Sequence, residues 1–74
     1  MTLARADDDL GEVLFEFTVI GRSVKVVAIH AATGVEVSVV GPVGAARVDL
    51  QRLALQKLLA RLGERRSAMP GSGA

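Results

Sequence analysis

Between Val13 and Val40 the chain runs through three short apolar-rich blocks, VLFEFTVI, SVKVVAIH and VEVSVV. Each alternates with period two and is rich in β-branched residues or phenylalanine, which is how half-buried strands read. Gly21-Arg22 separates the first two blocks. A two-residue connection with glycine first suits a type II′ turn, whose twist matches a hairpin. Such a turn also fixes the register, because a slip of one residue would turn every side chain to the other face. The expected neighbours are Ile20 with Ser23, Val19 with Val24, Phe17 with Val26 and Phe15 with Ala28. Ala31–Gly34 makes the second turn, with Gly34 suited to positive φ. Pairing His30 with Val35 then sets Val37 beside Ala28 and Val39 beside Val26.

This register sorts the side chains. Val13, Phe15, Phe17, Val19, Val24, Val26, Ala28, Val35, Val37 and Val39 share one almost wholly apolar face. The other face carries Glu16, Thr18, Lys25, Glu36 and Ser38, but also Leu14, Ile20, Val27, Ile29 and Val40. An antiparallel sheet that shows one face to water normally reads polar there. Five large aliphatics on that side predict an interface.

Gly41-Pro42-Val43-Gly44 ends the third strand. A helix is expected from about Ala45 to Leu62, in a stretch rich in Ala, Leu, Gln, Lys and Arg. Asp49 near its start and Arg61 near its end both complement the helix dipole, and Gly63 is placed to stop it. On a helical wheel Val48, Leu55, Leu58, Leu59 and Leu62 fall in a stripe about 100° wide that should cover the phenylalanine face. Leu50, Leu53 and Ala54 lie outside it. Residues 1–12 and 64–74 lack periodicity and read as flexible tails flanking a βββα domain at 13–63. The expected fold is α+β: a three-stranded antiparallel β-meander with one C-terminal helix packed on one face.

Composition narrows what such a domain can do. The chain has 74 residues, no cysteine and one histidine, so neither a disulfide framework nor a protein-built zinc site is expected. A core of this size rarely supplies more than about 3–5 kcal/mol unless something staples it, and oligomerisation is the staple left. No stretch is apolar for long enough to span a membrane. No basic start followed by an apolar run marks a secretory leader, so cytoplasmic residence is expected. Charge is uneven: residues 1–12 carry one base against four acids, and residues 43–74 carry six bases against two acids. A polyanion partner or head-to-tail attraction would use that asymmetry, although solubility alone also accounts for it.

The segments FEFTVIGRSVKVVAI (Phe15–Ile29) and TGVEVSVVGP (Thr33–Pro42), with the helix through Leu62, resemble a family of short, uncharacterised bacterial proteins. The resemblance covers about two-thirds of the chain. It implies no activity, cofactor or site residue. Members sometimes carry a serine hydroxymethyltransferase label. A pyridoxal-phosphate enzyme needs a large scaffold, a Schiff-base lysine and groups for the phosphate and ring nitrogen, and this chain has two lysines.

Catalysis has no constellation behind it. His30 ends a strand beside a turn, and Glu36 falls on the opposite face, so no orienting carboxylate is placed for a general base. The Gly41–Gly44 loop precedes a helix but lacks the lysine and hydroxyl of a phosphate loop. No catalytic, cofactor or metal residue is assigned. The leading expectation is a non-enzymatic interaction module, most simply a homodimer, that associates through Leu14, Ile20, Val27, Ile29 and Val40. The alternative is a nucleic-acid-binding accessory protein in which Lys57, Arg61 and Arg65, recurring every four residues, track phosphates along the helix. Against it, the chain has no Tyr or Trp for base stacking.

Overall fold

The computed structural model describes the backbone of residues 2–8 and 11–67 and the side chains of residues 11–64. Four antiparallel strands, β1 (Thr2–Asp8), β2 (Gly11–Ile20), β3 (Ser23–His30) and β4 (Glu36–Pro42), form one sheet in the order β1-β2-β3-β4. A single helix, α1 (Arg47–Ser67), follows and packs over β3 and β4. The meander-plus-helix architecture is as the pattern predicts.

The β2–β3 register agrees with the turn chemistry. Ile20 pairs with Ser23, Phe17 with Val26 and Phe15 with Ala28, and Gly21 takes the positive φ of 60° that the turn requires. On β4, Val37 pairs with Ala28 and Val39 with Val26, while the His30 amide donates to the Val35 carbonyl at 2.8 Å. Gly34 has φ of 75° in that turn.

Several expectations are corrected. Residues 2–8, read above as part of a tail, form β1, paired along β2 from Thr2 opposite Phe17 to Asp8 opposite Gly11. The helix does not stop at Gly63 but runs to Ser67. A glycine inside a helix weakens it by about 1 kcal/mol, which does not by itself end it. The remainder of the expected C-terminal tail, from residue 68, lies outside the described residues.

The third correction concerns which side of the helix is buried. Leu50, Ala54 and Leu58, at spacings of four, form the buried row, with Leu55 and Leu62 half-buried beside it. Val48 and Leu59, assigned above to the core stripe, are exposed, as is Leu53. The docking site explains the rotation. Leu50 lies so close over Gly41 that a Cβ there would sit 2.5 Å from Leu50 Cδ2. The bare backbone of Gly41 makes a notch that receives Leu50 and turns the helix about its axis. Val13, Phe15, Phe17, Val24, Val26, Ala28 and Val37 complete the core beneath it. Val19, also expected there, is exposed at the hairpin end.

Candidate functional site

The sheet has two faces, and α1 packs on the one that holds the phenylalanines. The opposite face is laid out in rows by the strand register. One row joins Leu14, Ile29 and Glu36; the next joins Glu16, Val27 and Ser38; the third joins Thr18, Lys25 and Val40; the last joins Ile20 and Ser23. Leu14 and Ile29 are therefore direct cross-strand neighbours, and Val27 lies one row away. These three are half-buried. Ile20 and Val40 are 60% and 67% exposed; the Thr18–Lys25 row stands between Ile20 and the central three, whereas Val40 belongs to that row, beside Lys25 and diagonal to Val27. The five expected interface residues are thus a central trio, Val40 at its margin on the edge strand, and Ile20 apart at the hairpin end.

The register also sets Glu16 diagonal to Lys25. No hydrogen bond or ion pair joins them. A shallow, open depression of about 180 Å³ on this side is lined by Lys25, Val27, Glu36, Val37 and Ser38. That is below the roughly 300–1,000 Å³ of ordinary small-molecule sites.

His30 is buried at 7% exposure. Its Nδ1 shares a hydrogen bond of 2.8 Å with the Thr33 hydroxyl, in a direction set by the imidazole tautomer. The same hydroxyl accepts from the Val35 amide at 3.3 Å. The imidazole is thereby built into the β3–β4 turn. Glu36, the nearest acid along the chain, is exposed on the other face. Among the described residues no group of three or more His, Asp or Glu side chains gathers where it would hold a metal, and no helix is long and apolar enough to cross a membrane.

The basic helix residues divide. Lys57 Nζ donates to the Ser38 carbonyl oxygen at 2.7 Å, so its ammonium is turned onto the sheet. Arg61 is exposed, and the side chain of Arg65 lies outside the described residues. Arg47, at the start of the helix, stands over the Phe17 ring with its guanidinium carbon 5.6 Å from the centroid. Sequence reasoning missed both contacts, because each joins elements whose relative placement depends on the Gly41 notch.

A family model described as Domain of unknown function (DUF6898) matches residues 10–66, which take in β2, β3, β4 and nearly all of α1 and leave out β1. No curated protein and no solved structure matches the chain.

Proposed function

The chain belongs to this family of unknown function, and we propose that it is a non-enzymatic module that self-associates through the sheet face opposite the helix. The observation that carries the reading is the adjacency of Leu14, Ile29 and Val27 at the centre of that face, on the side of the sheet that its own helix does not occupy. A two-fold contact suits it, because Glu16, Lys25 and Glu36 on one surface let the lysine of one copy meet a carboxylate of the other. The proposal keeps the cytoplasmic setting, in which a cysteine-free chain relies on association and not on disulfides.

The face is small. Four strands at about 4.8 Å spacing and about 3.3 Å per residue give a footprint on the order of 400 Å² in plan, against roughly 800 Å² per partner in a standard interface. Association through it alone should be weak, in the micromolar range or above. A dilution series followed by methyl NMR tests it. The Leu14, Val27 and Ile29 methyl signals should move with concentration while buried Leu58 stays fixed, and Val27→Asp should abolish the movement while the protein stays folded. Methyl positions that do not change up to millimolar concentration would end the reading.

A further inference from the structure

The two edges of the sheet are finished differently. The Val35 carbonyl accepts from His30 and the Val43 amide donates to the Arg22 carbonyl, so Val35, Val37, Val39 and Gly41 turn their backbone groups toward β3. Glu36, Ser38 and Val40 turn theirs to the outside. That edge is short, ends at Pro42 and has Lys57 on its Ser38 carbonyl. Lysine and proline on an edge strand discourage pairing with another chain.

The β1 edge has neither. The Ala31 amide donates to the Glu12 carbonyl, so the even-numbered residues of β2 face β3 and the odd-numbered ones face β1. Their partners are Thr2, Ala4, Ala6 and Asp8. Leu3, Arg5 and Asp7 are left with amides and carbonyls directed away from the sheet. Among the described residues no strand pairs with that row, and a row of this kind is a template for one more antiparallel strand.

We propose that the added strand is β1 of a second copy, paired antiparallel about a two-fold axis at Ala6. Charge selects that register. An axis at Arg5 or at Asp7 sets like charges directly opposite each other, and an axis at Ala4 places Arg5 opposite Leu3. Only the axis at Ala6 sets Arg5 of each copy opposite Asp7 of the other, and opposite charges across a ladder are favourable. The result is a continuous eight-stranded sheet, β4 to β1 and then β1 to β4 of the partner. Both helices lie on one side of it. The two outer faces lie in one plane on the other side. The contact uses a surface distinct from Leu14, Val27 and Ile29 and does not depend on them. It also lies outside the matched span of the family, residues 10–66.

Amide hydrogen exchange on the full chain tests the pairing. In concentrated protein the Leu3, Arg5 and Asp7 amides should exchange about tenfold more slowly than in dilute protein, joining Ala4 and Ala6, which β2 already protects. Arg5→Asp and Asp7→Arg should each abolish that extra protection, and an equimolar mixture of the two variants should restore it. Val27→Asp should leave it in place. Odd-numbered amides that exchange alike at every concentration overturn the proposal, as do variants without effect or a mixture that fails to restore protection. Protection that appears only when an unrelated extended peptide is added gives the edge to a foreign strand and overturns self-pairing. Protection lost with Val27→Asp overturns the claim that the edge pairs independently. The outer-face proposal is judged separately, by its own methyl signals.

Discussion

Lys57 spans nineteen positions of sequence to place its ammonium 2.7 Å from the carbonyl oxygen of Ser38, so a helix side chain closes part of the open edge of β4. The bond is solvent-exposed, and such bonds add little to stability. Its effect should fall on association instead. Lys57→Met keeps most of the stem and removes the donor. The variant should lose less than about 1 kcal/mol of stability yet scatter light at lower protein concentration than wild type, because an uncovered edge recruits strands. Static light scattering against concentration, paired with urea denaturation, separates the two effects.

The burial of α1 gives a sharper contrast. Leu58 is 0% exposed and its neighbour Leu59 is 42% exposed. Leu58→Ala should cost about 2–5 kcal/mol, as removal of a buried leucine does. Leu59→Ala should cost less than about 1 kcal/mol, in keeping with a partly exposed site. For a domain this small the first loss is comparable with the whole stability, so Leu58→Ala should be largely unfolded by circular dichroism at 37 °C.

Gly41 and Leu50 should behave as a coupled pair. Gly41→Ala forces a Cβ into the space of the Leu50 side chain and should cost about 1–3 kcal/mol, as overpacking does. In a Leu50→Ala background the same change should cost much less, giving a non-additive double-mutant cycle. Equal costs in both backgrounds would show that the helix does not dock on Gly41.

Thr33 holds the β3–β4 turn through His30 and the Val35 amide. Thr33→Val preserves shape and removes the hydroxyl. It should destabilise by about 1–2 kcal/mol, the usual consequence of withdrawing a partner from a buried polar group. Thr33→Ser should restore most of that. Denaturation midpoints of the three proteins make the comparison.

Much of this architecture was legible in the sequence because Gly21-Arg22 admits one hairpin geometry and the valine alternation admits one facing. The pairs from Val13–His30 to Ile20–Ser23 follow from those two facts. β1 escaped notice for a physical reason. A strand at the rim is held by main-chain hydrogen bonds on one side and needs no row of large apolar residues, and TLARADD has none. The helix was found, but a wheel gives every leucine equal weight and knows nothing of a notch at Gly41. It therefore chose Leu59 where the structure buries Leu50. The outer aliphatics were identified one by one, whereas the separation of Ile20 from the central trio by the Thr18–Lys25 row is a matter of cross-strand rows that emerge only when the strands are aligned.

Each strand of this sheet hydrogen-bonds only to strands adjacent to it along the chain, and the helix settles on the two strands made just before it. Few distant segments have to find one another, so little loop-closure entropy opposes folding. Growth can proceed outward from the tight turn at Gly21, rung by rung, with the N-terminal strand as the final addition. For a protein with a greasy sheet, rapid zippering shortens the interval in which half-built intermediates meet and clump.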